Sequence, residues 1–402
     1  MVISGIISGL HWQIKEDCVT KLTKAYLIVM AILIALTVVV AVWHSHEVTA
    51  AETAVNYAGH AGKGNGGVAS NYANFTATTA NNLRFFLLLC GSVTAAAGIW
   101  GLVEYIILPL MNLSRIGAIT QVTYHEALYQ PFTLIVFAMC IAAIVITAFV
   151  PFNTFGEDTK MYRDVAMSFV LMFILIIMVF ATAKVIDEEI ENRTMLTLMS
   201  KPVARWQVII GKYLGIACLM FVTMAICTIA VGACAWIRYF SDQRIDLSVA
   251  TYAGQQALYW ANDMAIIALI PAFVLQFMEL ATLAAISTAI ATRYSLALNM
   301  TVIVVLYIGA NLTRFAPLLH LGEPWQALVD GGSYFLPYLT NFDINQALIY
   351  RPISMPGHYQ GPDAPTIGQV VGYVSMAAAY GLMYIGAALS IAVALFRNRE
   401  LT

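Results

Sequence analysis

The sequence predicts an all-α protein that crosses a membrane several times. Hydrophobic residues make up 60% of the 402 residues and charged residues only 10%, whereas soluble domains are about half apolar and about a quarter charged. The apolar residues also stand in runs of about 20, the length that spans the hydrocarbon core of a bilayer. These runs lack the strict alternation of apolar and polar residues seen in barrel strands, so they predict helices.

Eight apolar segments can be drawn along the chain. In lipid each backbone must satisfy its own hydrogen bonds, so every segment is expected to be a helix. The first segment is longer than the apolar region of a signal peptide, which favours a retained membrane anchor, with cleavage near residues 48–50 as the alternative. The segments are residues 25–43, 84–106, 131–151, 166–186, 207–236, 264–291, 296–313 and 369–396.

The distribution of Lys and Arg predicts that both termini are cytoplasmic. With the N-terminus inside, twelve of these residues fall on the cytoplasmic side and eight outside, in agreement with the positive-inside rule. The outside set is spread over long polar loops, where the rule has little weight, and the inside set clusters at helix ends. The net charge of −2 gives no indication of nucleic-acid binding.

A domain boundary is expected near residue 113. Residues 1–113 predict a two-helix membrane hairpin, whose outer loop at 44–83 is rich in Ala, Gly, Asn and Thr, and residues 114–402 predict a six-helix unit. A second long loop, 314–367, combines aromatic residues with prolines, which favours an ordered extracytoplasmic cap. No internal repeat is visible, so an inverted-repeat secondary transporter gains no support.

The connection at residues 187–205 is unusually elaborate for a link between two spanning helices. It begins with a run of acidic residues, continues in a helical stretch, and is interrupted by Pro202, because proline fits the first turn of a helix and not its interior. Charged, capped helices where a short turn would suffice favour a cytoplasmic loop to which another protein docks. A solvated helix–turn–helix is the alternative. Gly211 and Gly215 follow at a spacing that lets a neighbouring helix approach closely.

Residues 187–215 resemble the intracellular coupling region of type-2 ABC exporter permeases. The pattern of that family is a glutamate-rich helix end, an Arg-Thr step, an apolar stretch, Ser-Lys-Pro, an Arg and Gly-Lys-Tyr-x-Gly, and this chain supplies each step in order. Residues 115–129 are similar to the elbow helix of the family, and the resemblance covers residues 115–397. It assigns contact with an ATPase to Glu188, Glu189, Glu191, Arg193, Thr194, Ser200, Lys201, Pro202 and Arg205.

The resemblance implies a division of labour between polypeptides. A separate cytoplasmic ABC ATPase would hold ATP and Mg and hydrolyse the nucleotide. This chain would pair with a second permease chain, identical or different, and supply the pathway for export across, or extraction from, a bacterial plasma membrane. It would not be an enzyme, and would have no catalytic residue, metal or cofactor of its own. In agreement, the sequence contains no Gly-x-x-x-x-Gly-Lys-Ser/Thr phosphate-binding motif.

Glu279 and Gln276 stand near the middle of the sixth apolar segment. An ionisable group at that depth is costly and usually faces protein or water. Two interpretations stay open: a contact with the substrate or a gate, or a hydrogen bond between helices. His44 and His46, with His60 in the same loop, could approach a metal ion, but nothing there supplies a fourth ligand. We therefore predict no metal site.

Two other functions stay open beside export. The first is an ATP-driven mechanical transducer, which would act on an extracytoplasmic partner through residues 314–367. The second is a secondary transporter, which would need intramembrane charge pairs, and Glu279 alone is available for one. A membrane-embedded enzyme is disfavoured, because no cluster of His, Asp and Glu falls at one depth.

Overall fold

The computed structural model describes ten stretches of the chain, and nearly all of the described residues are α-helical, as predicted. The described chain divides into two compact units between Ile107 and Leu108. At residues 66–82, 187–191, 240–242 and 397 the structure describes the backbone alone. The described ranges are residues 24, 26–50, 53, 66–112, 114–152, 158–191, 204–242, 262–312, 337–344 and 365–397.

The first unit contains two long helices, α1 (Tyr26–Ala50) and α2 (Gly66–Leu102), and α2 continues into a π-helical turn. Both helices extend into the predicted loop 44–83, so the prediction of a loop is wrong for residues 44–50 and 66–83. They meet at the start of α1, where the Tyr26 hydroxyl donates a hydrogen bond of 2.6 Å to the Ala97 carbonyl. The Tyr26 ring also packs against Trp100 and Tyr105, at centroid distances of 5.9 and 4.7 Å. Because α1 buries almost none of its apolar surface within the chain, it suits a lipid surrounding.

The second unit is a bundle of long helices around α6, α7 and α8. Ser114 caps the start of α4, where its hydroxyl accepts a hydrogen bond from the Gly117 amide at 3.0 Å. Pro131 begins α5 at the helix position that tolerates proline best. The helices are α3 (Leu108–Met111), α4 (Arg115–Leu128), α5 (Pro131–Phe149), α6 (Asp158–Glu191), α7 (Arg205–Asp242), α8 (Leu269–Ala291), α9 (Leu296–Leu312) and α10 (Ile367–Arg397), with a 3-10 turn at Leu339–Phe342.

Seven helices of the described chain are long and apolar enough to cross a membrane, against eight predicted segments. The difference is α9, which has 17 residues and is therefore about 25 Å long. That is about 5 Å less than the thickness of a typical hydrocarbon core. The polytopic character predicted from composition is confirmed. The seven spans are Tyr26–Ala50, Leu83–Met111, Pro131–Phe149, Asp158–Ile186, Arg205–Tyr239, Asn262–Ala291 and Ile367–Phe396.

The two ends of the second unit differ in their contacts. At one end, which we call the α4 end, α7 begins and α8 and α10 finish, and an apolar cluster includes Ile209, Ala289 and Phe396 from these helices and Ile119 from α4. At the other end, which we call the Arg238 end, α7 finishes beside the end of α5 and the start of α6. The side chain of Arg238 joins these helix ends.

Arg238 is 5% exposed and holds the C-terminus of α5. Its Nη1 atom donates to the carbonyls of Thr147, Ala148 and Val150, at 3.2, 3.1 and 2.6 Å. Its Nη2 atom lies 3.7 Å from a carboxylate oxygen of Asp158, the first residue of α6. The last carbonyls of a helix have no partner within the helix, and here a cation satisfies them.

Candidate functional site

The acidic residues of the predicted docking loop belong to the last turns of α6. This helix runs without a break from Asp158 to Glu191, over 34 residues, and is about 50 Å long. A hydrocarbon core is about 30 Å thick, so α6 is long enough to carry its acidic end beyond the membrane. Glu188, Glu189 and Glu191 lie on this end, and their side chains lie outside the described residues.

The rest of the predicted docking loop is described only where α7 begins. Arg205 is the first residue of α7 and is exposed. The remaining residues assigned to ATPase contact lie outside the described residues: Arg193, Thr194, Ser200, Lys201 and Pro202.

Lys212 ties α7 to the end of α6. Its side chain is 0% exposed, and its Nζ donates a hydrogen bond of 2.9 Å to the carbonyl of Val185, two residues before the acidic run. A buried ammonium group is stable only when its donors have partners. The structure buries Lys212 between these two helices.

Gly211 and Gly215 bring α7 into backbone contact with α4. A Cβ atom added at Gly215 would lie 2.7 Å from Thr123 Cβ and 2.8 Å from the Thr120 carbonyl oxygen. One added at Gly211 would lie 2.9 Å from Ile119 Cβ. The Thr120 hydroxyl donates to the carbonyl of Gly211 at 3.1 Å, a bond that only a close approach of the two helices permits.

The α4 end therefore forms one connected structure. Lys212 links α7 to α6, the two glycines link it to α4, and the Tyr213 hydroxyl donates to the Ala281 carbonyl of α8 at 3.2 Å. Close-packed interiors transmit displacements instead of absorbing them. A push on the acidic end of α6 would accordingly reach α7, α4 and α8.

A polar cavity lies in the other half of the bundle. It has a volume of about 110 Å³, and six of its seven lining residues are polar. Two of these, Ser168 and Glu279, each lie ten residues after the start of their helix, which is about 15 Å along the axis. The cavity is therefore nearer the Arg238 end. Its polar lining consists of Ser168, Gln276, Glu279, Tyr307, Asn311 and Asp343.

Asp343 reaches this cavity because the 3-10 turn before it is held against α10. The Tyr373 hydroxyl donates to the Asn341 carbonyl at 2.7 Å, and the Tyr338 amide donates to the Tyr380 hydroxyl at 3.0 Å. Phe342 is buried beside Asp343. This turn is a described part of the predicted cap, which otherwise falls mostly outside the described residues.

Two lining residues, Glu279 and Gln276, were candidates from the sequence, and the structure brings both to one cavity. The sequence did not indicate Ser168, Tyr307 or Asn311, because none of them lies within one helical turn of a charged residue of its own apolar segment, as Gln276 does. Asp343 stands within the long loop 314–367, and nothing local in the sequence indicates that it lines a cavity. Within the described ranges, no group of three His, Cys, Asp or Glu residues is placed to hold a metal ion.

Comparison with known families matches nearly the whole chain. The model of a family described as ABC-2 family transporter protein matches residues 14–401. The matched range includes α1 and α2, whereas the resemblance argued from motifs begins at residue 115. In the comparison with curated proteins, no sequence matched this chain.

Proposed function

Because the chain belongs to the ABC-2 family transporter proteins, and is thereby a membrane permease component of an ABC transporter, we propose that it couples ATP hydrolysis by a separate cytoplasmic ATPase to substrate export. In this proposal the ATPase holds ATP and Mg and grips the acidic end of α6. Two permease chains, identical or different, form the pathway in a bacterial plasma membrane.

The contact of Lys212 with Val185 carries this proposal. A docked ATPase can move spanning helices only if the segment it grips is attached to them. The Nζ–carbonyl bond of 2.9 Å attaches the last turns of α6 to α7, and the contacts of Gly215 attach α7 to α4. The predicted docking surface thus has a direct mechanical connection to the bundle.

The polar cavity is the proposed part of the pathway. It lies in the half of the bundle away from the α4 end, which the proposed orientation places toward the outer face. Glu279 and Gln276 would contact the substrate there. Extraction of a substrate from the inner leaflet is compatible with the same arrangement.

A mechanical transducer is the second candidate. The turn before Asp343 is bonded to α10 through Tyr373 and Tyr380, so a movement of α10 would reach the extracytoplasmic loop. Reconstitution of the chain with its ATPase in vesicles separates the two functions. An exporter moves a solute across the bilayer when ATP is added, whereas a transducer hydrolyses ATP without solute movement.

Replacing Glu189 and Glu191 together with Ala is expected to weaken docking of the ATPase. Loss of charge-assisted hydrogen bonds across an interface should lower recovery of the ATPase on the order of tenfold. The tagged full chain is expressed in its own host, and the ATPase that co-purifies in detergent is quantified. Membrane insertion of the chain should be unchanged.

The matched control replaces Glu47 and Glu52 with Ala, since the proposed orientation places these carboxylates on the opposite face. Their loss should leave ATPase recovery at the wild-type value. Equal recovery from the Glu189/Glu191 variant and from the wild type would contradict the assignment of the docking surface.

A cysteine at position 201 is expected to react with a membrane-impermeant maleimide only from the cytoplasmic side. The Lys201→Cys variant should be labelled in inverted vesicles and protected in intact cells, because the proposed docking loop faces the ATPase. Lys63→Cys, in the loop proposed to be outside, should show the opposite pattern. Labelling of Lys201→Cys in intact cells would overturn the proposed orientation and the docking surface with it.

A further inference from the structure

One buried acceptor of the polar cavity has no partner in the described part of the chain. Gln276 is 2% exposed, and its Nε2 donates to the carbonyl of Met167 at 3.5 Å. This bond requires the NH₂ group on that side of the amide. The Oε1 atom, on the other side, has no hydrogen-bond partner within the described residues. A buried acceptor without a hydrogen-bond partner lowers stability by about 1–3 kcal/mol. The amide oxygen of Gln276 therefore suits a ligand that donates a hydrogen bond.

Glu279 supplies a carboxyl group one helical turn from this acceptor. Its side chain is 4% exposed and lines the same cavity. A charge at this depth is costly unless an opposite charge or water faces it. No Lys, Arg or His is among the residues that line the cavity, and Asp343 adds a second acidic side chain to the wall. The cavity therefore favours a cation over a neutral or anionic ligand.

The size and composition of the cavity favour an organic ammonium group over a metal ion. The volume of about 110 Å³ approaches that of apolar cavities that hold benzene, about 150 Å³, and exceeds the roughly 30 Å³ of a water molecule. Two carboxylates line this cavity, and among the residues that the structure describes no group of three His, Cys, Asp or Glu residues is placed to hold a metal ion. An ammonium group needs a few acceptors, and the polar side chains that line this cavity supply them.

We propose that the cavity binds the ammonium group of a small organic cation, with Glu279 as its counter-ion and the Oε1 atom of Gln276 as a second acceptor. The inference names the substrate class of the proposed pathway and rests on the proposed function for its role in export. Binding itself requires only the permease chain.

Binding of butylammonium to the purified full chain in detergent tests the proposal, with no ATPase present. Isothermal titration should detect butylammonium and give no signal for 1-butanol, which has nearly the same shape without the charge. The Glu279→Gln variant should bind butylammonium on the order of tenfold to a hundredfold more weakly, the usual effect of losing a hydrogen bond to a charged group. Glu104→Gln, which removes a carboxylate from another apolar span, should bind like the wild type.

Four results would overturn the proposal: absence of butylammonium binding to the wild type, equal binding of 1-butanol, unchanged binding by Glu279→Gln, or Glu279-dependent binding of Na⁺ or Ca²⁺ in place of butylammonium. If Glu279→Gln does not fold, as judged by its thermal unfolding, Asp343→Asn replaces it and should also weaken binding. Failure of binding with normal ATPase recovery would reject this inference alone. Normal binding without ATPase recovery would reject the proposed function.

Discussion

Replacement of Arg238 with Met is expected to lower the free energy of unfolding by about 3–5 kcal/mol, as removal of one partner from a buried ion pair does. Three carbonyls at the end of α5 would lose their donor, and the Asp158 carboxylate would lose a cation 3.7 Å away. Met has a long, unbranched side chain that fills part of the same space but donates no hydrogen bond. Thermal or denaturant unfolding of the purified chain measures the loss.

Two further variants isolate the cause. Arg238→Lys keeps the charge but has a single ammonium group in place of the planar fork, so it should recover only part of the stability. Arg293→Met removes an exposed arginine and should change the free energy of unfolding by less than about 0.5 kcal/mol. Equal stability of Arg238→Met and Arg293→Met would show that the contacts of Arg238 do not stabilise the bundle.

Replacement of Gly215 with Val is also expected to lower the free energy of unfolding, because the new side chain fills the space where α4 touches α7. The added Cβ would stand 2.7 Å from Thr123 Cβ and 2.8 Å from the Thr120 carbonyl oxygen, and one of these contacts is with backbone that cannot rotate away. Overpacking of this kind costs about 1–3 kcal/mol, and sometimes more. Since α4 and α7 adjoin the proposed docking surface, the variant should also recover less ATPase.

The matched control is Gly386→Val in α10. Position 386 is exposed, and an added Cβ atom would meet nothing within 4 Å. The control therefore carries the same change in side chain and in helix propensity without the collision. A loss of stability as large in Gly386→Val as in Gly215→Val would attribute the effect to valine in a helix and not to the contact with α4.

The membrane class, most of the spans and the family could be inferred from the sequence, because each depends on local patterns. Long apolar runs predict spanning helices whatever surrounds them, and the order of motifs in residues 187–215 needs no three-dimensional information. The limits of that reasoning are visible in α9. Its segment is apolar, but the helix has 17 residues, and apolar composition alone does not tell whether so short a helix spans.

Local patterns also explain why only two of the polar residues that line the cavity, Glu279 and Gln276, were predicted from the sequence. Glu279 and Gln276 are conspicuous because polar groups inside an apolar run are expensive. Ser168 and Tyr307 are polar groups of a kind that apolar helices tolerate, since a hydroxyl can bond to the backbone of its own helix, as that of Ser168 does with the Asp164 carbonyl at 2.9 Å. Ser168 and Tyr307 can be recognised as candidate site residues only because they line the same cavity as Glu279.

Local patterns in the sequence predict helices that cross a membrane, and they predict an acidic run and a proline between two of them, with two spaced glycines in the helix that follows. The packed structure was needed to show that Lys212 is buried against Val185, that Arg238 holds the end of α5, and that Glu279 and Asp343 line one cavity. The two kinds of information differ in how far along the chain they reach. Hydropathy and helix signals act within about one span, whereas these contacts join residues from different helices and exist only once the helices are packed.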